Sequence, residues 1–342
     1  MKRRSVLAGL AGGAGIGLAA PALAQAARRL RMITDRSEDG TRLAERIARL
    51  SDGRVTLDLS VRPAEEAAGF REAVGDGSAD LYLASDAAFV ADDPALMLFS
   101  AMPGGMASQE MEAWIYVSSG AAVWDRIGQA ANVTSFLAGD TGPMPIWSRE
   151  PITSIASIQG PIASMGAGLL AWERMGVSPV ALGADMTEAF GIEGLSVQEI
   201  VERDLHQTFP YLCAPSAGLP SSAITLGVNR DLVAELGESG ALLIERCAAA
   251  HNGQVRSQAA YRNAQAFTAI SSDVTLLDEA PELWQAQMEA GRALLEDMQG
   301  LDESRAGAVE SYLLFLRDVA GWSDIGEASY FEGRKRILSD LL

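Results

Sequence analysis

Histidine and cysteine are scarce in this 342-residue chain, with two of each. His206 in "DLHQTF" and His251 in "AAHNG" have no partner at metal-ligand spacing, and Cys213 and Cys247 form no C-x-x-C pair. Ser164 precedes Gly166 but lies two residues after Ile162, so G-x-S-x-G is not met. Most residue types for nucleophilic or metal chemistry are therefore missing, and no enzyme is expected. The 45 acids guarantee chance carboxylate pairs, so none singles out an acid–base dyad. In an oxidising compartment the two cysteines could form a disulfide, and two buried free thiols fit equally well.

Basic residues are also few. Lys and Arg total 27 against 45 Asp and Glu, a net charge of −18. That argues against nucleic acid, whose binding needs cationic surface to displace counterions, and against anionic membrane surfaces. Past the N-terminus no apolar run reaches the roughly 20 residues needed to span a bilayer, so a membrane-embedded protein is not expected. Residues 1–24 read as a twin-arginine leader. Arg3 and Arg4 precede a mildly apolar, Gly/Ala-rich stretch, and Ala22-Leu23-Ala24 supplies an A-x-A cleavage site before Gln25. The expected compartment is the periplasm.

Strand and helix signals alternate through the remaining chain, which is long enough for two lobes with separate cores. "LRMIT" reads as a strand, and Leu43, Ile47 and Leu50 share one helical face. "RVTLDLSV" alternates with period two, a helix follows near Glu65–Val74, and "ADLYLAS" reads as an inner strand. This order predicts a mainly parallel sheet covered by helices. Ser108–Ile127 reads as one long helix and "VTSFLAG" as a strand. A second series of short elements begins near Met144, and "AITLGVN" reads as a return to the first sheet. Leu242–Ile270 is almost uninterrupted helix, up to about 43 Å long and able to lie across two lobes. The chain ends α-rich, with helices near Pro281–Met298 and Ser304–Val319. The expected division is lobe I over 25–141 and 223–270, lobe II over 142–222 and 271–310, and a helical tail over 311–342. A chain that leaves one lobe, builds another and returns leaves a cleft between them.

"ASMGAGLLA" raises a separate question. Gly166, Gly168 and Ala171 fit G-x-G-x-x-A, with Asp185 at the distance of a ribose-binding acid. Only "PIAS" precedes the motif and the helix after it is short, so a dinucleotide site is not favoured. A packing turn and a ligand-facing turn both remain open.

The order of features resembles the periplasmic substrate-binding subunits of tripartite ATP-independent (TRAP) transporters, in the α-keto acid branch. The segments that carry the resemblance include "FREAVGDGSADLYLAS", "DDPALMLFSAMPGGMASQEMEAWIYVSSGAAVWDRI", "GDTGPMPIWSREPITSI", "ERMGVSPVAL" and "ESYLLFLRDVAGWSDIGEASYF". They span about residue 30 to about 334. The resemblance implies a two-lobed α/β Venus-flytrap binder that passes a small organic ligand to TRAP membrane permease subunits, with no required cofactor. The alternative is a degenerate paralogue acting as a sensor or partner-binding protein. The resemblance places Ser85, Asp86, Thr141, Met144, Trp147, Ala163, Ser164, Met165, Glu199 and Tyr211 around the ligand. The branch's carboxylate-binding arginine falls on Ala163, and its tyrosine pair falls on Ala87 and Ala88. Simple monocarboxylates are therefore not expected to bind as in relatives, unless Arg149, Arg203 or a bridging metal at Glu199 takes over. Glu199 has a second reading, since Ser196-x-x-Glu199 is a helix capping box.

Overall fold

A computed structural model describes residues 27–183, 186–214 and 218–339. The leader and Asp185 lie outside the described residues. The first lobe is built from β1 (Arg28–Thr34), α1 (Ser37–Leu50), β2 (Val55–Val61), α2 (Phe70–Gly75) and β3 (Leu81–Ser85). Helices α3 (Ser108–Val117) and α4 (Gly120–Ala130) then lead into β4 (Val133–Asp140). The chain crosses to a second lobe with β5 (Ile146–Ser148), β6 (Ile162–Ser164), α5 (Ala167–Arg174), β7 (Pro179–Ala181), β8 (Gly191–Ile192), α6 (Val197–Glu202) and β9 (Tyr211–Cys213). It returns with β10 (Ala223–Asn229) and α7 (Arg230–Ile270), then ends in β11 (Thr275–Leu277), α8 (Pro281–Gln299), α9 (Glu303–Ser323) and α10 (Ser329–Ser339).

Two sheets result, ordered β2-β1-β3-β10-β4 and β11-β9-β5-β8-β6-β7. The first is mixed rather than mainly parallel. β1 pairs in parallel with β2 and β3, but the returning β10 is antiparallel to both β3 and β4. "LYLAS" and "AITLGVN" are buried at every position, as central strands covered on both faces should be. In α1 the buried Gly40, Leu43 and Ile47 follow the helical repeat, with Glu38 and Asp39 in the positive first turn and Arg49 in the last.

The expected helix over Ser108–Ile127 is two helices. Ser118 leaves helical geometry at φ −116°, ψ −138°, and Gly120 then packs on the Ile115 backbone, where a Cβ would stand 2.9 Å from Ile115 Cα. Between them these helices bury Trp114 and Trp124 on either side of Phe99, with ring centroids 5.0 and 4.5 Å away. Tyr312 of α9 closes the same cluster edge-on to Trp114. Cys213 and Cys247 are both free and buried, one in each lobe's core.

Candidate functional site

The two sheets face each other across a cleft of about 1300 Å³. Its walls come from the ends of elements, where an α/β sheet offers its side chains to a ligand. Asp35 stands just past β1, Ser85 closes β3, and Asp140 and Thr141 sit where β4 crosses between lobes. The second lobe contributes the turn Ser164-Met165-Gly166 and the first turn of α6, with Ser196 and Glu199. Along α7, Val255, Gln258, Ala259 and Arg262 follow i, i+3, i+4, i+7 and form the wall that joins the lobes.

The lobes touch at the glycine turn. Gly166 has φ +53°, and a Cβ there would stand 2.8 Å from the Ala87 Cβ. Ala87, the position of an expected aromatic, thus lets the turn close directly on the first lobe. Ser85 Oγ and Ser222 Oγ lie 2.7 Å apart beneath the contact, and Ser222 N donates to Thr141 Oγ1 at 2.9 Å.

Of the residues expected at the ligand, Ser85, Thr141, Ser164, Met165 and Glu199 line this cleft, and the other five do not. Asp86 is fully buried behind β3, accepting from Thr225 Oγ1 at 2.6 Å. Trp147 and Ala163 are fully buried in the second lobe's core, and Met144 packs on Ala101 and Leu219, with Met165 against that cluster. Tyr211 lies in β9 between the partner strands β5 and β11. Packing covers Asp86, Trp147, Ala163 and Met144, the last of them between Ala101 and Leu219, and strand pairing holds Tyr211 outside the cleft.

Glu199 caps its helix: Oε2 accepts from Ser196 N and Ser196 Oγ, both at 2.8 Å, and Ser196 Oγ accepts from Glu199 N at 3.2 Å. Among the described residues no group of three or more His, Cys, Asp or Glu could hold a metal ion. Arg149 is committed elsewhere. Its Nε donates to Ala189 O at 2.6 Å, it also bonds Thr187 O, and its guanidinium covers the Phe209 ring at 4.9 Å. Arg203 does line the cleft and is exposed.

Glu193 and Asp140 are two raised carboxyls near the cleft, and neither was expected from sequence. Burial pushes the Glu193 carboxyl up to about 7, although Trp172 Nε1 donates to its Oε2 at 2.7 Å and Ser164 Oγ at 3.2 Å. Burial likewise pushes Asp140 up to about 6, against bonds from Ser108 Oγ and Gly142 N. The available signal was position: Asp35 and Asp140 fall at strand ends, and Glu193 directly follows β8.

No family model matches the sequence. It is 24% identical over 300 residues to a monocarboxylate 2-oxoacid-binding periplasmic protein of Nostoc, covering 84% of this chain and 82% of that one. A TRAP solute-binding protein of Bordetella bronchiseptica, a dimer with calcium and picolinate, superposes with a TM-score of 0.85 at 17% identity, over 93% of this chain and 100% of that one. One from Pseudoalteromonas atlantica, with sodium and pyruvate bound, gives 0.82 at 19% identity, over 89% and 98%. This chain has the two-lobed fold of the TRAP periplasmic solute-binding proteins and is similar in sequence to a periplasmic 2-oxoacid-binding relative.

Proposed function

We propose that this chain is a periplasmic solute-binding protein that holds a small organic ligand between its lobes and delivers it to a TRAP-type membrane permease. The observation that carries this reading is the cleft itself, of about 1300 Å³, walled by strand ends of two sheets and spanned by α7. A hinged pair of lobes suits capture and release, and among the described residues no helix is long and apolar enough to cross a membrane. The role is binding rather than turnover. Neither His206 nor His251 lines the cleft, and Cys213 and Cys247 are buried away from it. A metal bridging ligand and protein has thin support from the donors present, because Glu199 already serves its helix cap and belongs to no group of three or more His, Cys, Asp or Glu among the described residues.

A thermal-shift screen of small organic acids, amino acids, amines and polyols, followed by calorimetry, tests the reading. A true ligand at a hundred times its Kd should stabilise the fold by about 2.7 kcal/mol. Silence across the whole screen would refute a small-solute role.

A further inference from the structure

Two carboxylates from opposite lobes line the same cleft, and among the described residues neither forms an ion pair with an arginine or lysine. Asp35 stands beyond the carboxyl end of β1 and Glu199 on α6, and both line the cleft. Asp35 Oδ1 is buried without a hydrogen-bond partner, and so is Oε1 of Gln258 on the wall between them. Glu199 spends Oε2 on its cap and leaves Oε1 unbonded among the described residues. Desolvation raises the Asp35 carboxyl above its ordinary range; the Arg36 charge opposes this, while the charges of Glu199 and Asp39 add to it. The two carboxylates thus enter one cleft from opposite lobes.

The cleft's cations do not answer them. Arg36 pairs with Asp39, Arg42 with Glu38 and Asp39, and Arg262 with Glu38. Arg62 and Arg203 are exposed to solvent. The position expected to carry an anion-binding arginine is a buried alanine, Ala163. A carboxylate that is partly desolvated and without an ion pair is costly, so a ligand group that pairs with it is favoured.

Resting on the solute-binding reading above, we infer that the ligand carries a protonated amine held between Asp35 and Glu199, with Gln258 accepting a further hydrogen bond. An ammonium has three donors and no acceptor, which matches three acceptors drawn from three elements. Its charge-assisted bonds to both lobes favour the closed form. A bare divalent ion matches less well, since two carboxylates and an amide make a thin donor set for it.

The test is calorimetry and thermal shift on the mature chain from Gln25 with three probes of similar size: alaninol, propylene glycol and pyruvate, in chelator and again with calcium. Alaninol should bind and raise Tm in chelator, with propylene glycol and pyruvate at least about ten-fold weaker. Asp35→Asn and Glu199→Gln should each weaken alaninol about ten-fold without lowering the Tm of the free protein, because Gln preserves the capping box. Pyruvate binding with alaninol silent, or alaninol binding untouched by both substitutions, overturns the inference and leaves the solute-binding reading standing. Stabilisation by calcium alone that disappears in Glu199→Gln assigns the pair to a metal and also overturns it. Silence from all three probes overturns it as well, whereas the solute-binding reading falls only if the wider screen is silent too.

Discussion

Asp86 accepts from Thr225 Oγ1 at 2.6 Å while its other oxygen, Oδ2, is buried without a partner. Burial pushes this carboxyl up to about 7, as it does Glu193, and pushes Asp140 up to about 6. A carboxyl raised in the folded state contributes stability that is complete below its ordinary range and is lost as pH rises through the folded value. His251 acts in the opposite sense. It is fully buried with neither ring nitrogen bonded, and desolvation lowers it to about 4, so its contribution is lost as pH falls from about 6.5 toward 4. Three groups against one decide the sign. Denaturant unfolding should give a lower free energy at about pH 8 than at about pH 5.5, and Asp86→Asn should shrink that difference. A flat profile, or one unchanged by the substitution, would show that Asp86 is not raised. The same residue shows what sequence could not reveal: a polar side chain at a ligand-rich position can face the core, and only the burial of its neighbours tells which.

The long helix α7 is interrupted near its start, where Gly237 takes φ +65° and ψ −178°. Only glycine adopts this backbone without strain, so Arg230–Leu236 turns away before the rest of the helix runs across both lobes. Gly253 is different: it is exposed within the helix, and a Cβ would meet nothing within 4 Å. Gly237→Ala should therefore lower the free energy of unfolding by about 1 kcal/mol or more, while Gly253→Ala should raise it by about 0.5–1 kcal/mol. Equal effects from the two, read by urea denaturation, would contradict the break in α7. Elements were the legible scale of this molecule. The apolar runs "LYLAS" and "AITLGVN", buried on both faces, and the helical spacing of buried Gly40, Leu43 and Ile47 in α1 are imposed by burial and survive in any one sequence. Two features were missed: the break at Ser118 depends on close backbone packing at Gly120, and the antiparallel return of β10 depends on the route of the chain between lobes, neither of which residue periodicity encodes. Much of the segment Asp92–Ile127, one of those that carry the family resemblance, is core. Asp93 caps the turn at Ala95, and Phe99, Trp114 and Trp124 stack beneath it.

For the molecule as a whole, core and cleft therefore carry different information. The segments that resemble the family build the lobes, whereas only half of the ten residues expected at the ligand line the cleft. Ala87 lies at the contact between the lobes. Its methyl is all that separates the first lobe from the glycine turn of the second, and it belongs to neither lobe's main core cluster. A larger side chain there has no room while the lobes touch, because the Gly166 backbone occupies that space. Ala87→Leu should thus oppose closure at this contact, and it should also lower denaturant stability, because Ala167 and Ala171 of α5 pack in one core cluster with Phe89 and Val90 of the first lobe. Its radius of gyration by small-angle scattering should exceed that of the parent protein. Ligand affinity should fall about ten-fold, because the closed form that binds becomes a minor population. Adding saturating ligand should bring the variant back to the compact value, since binding energy can be spent on closing against the strain. A variant with the parent's radius of gyration and unaltered affinity would mean that the lobes do not close through Gly166 and Ala87 in solution.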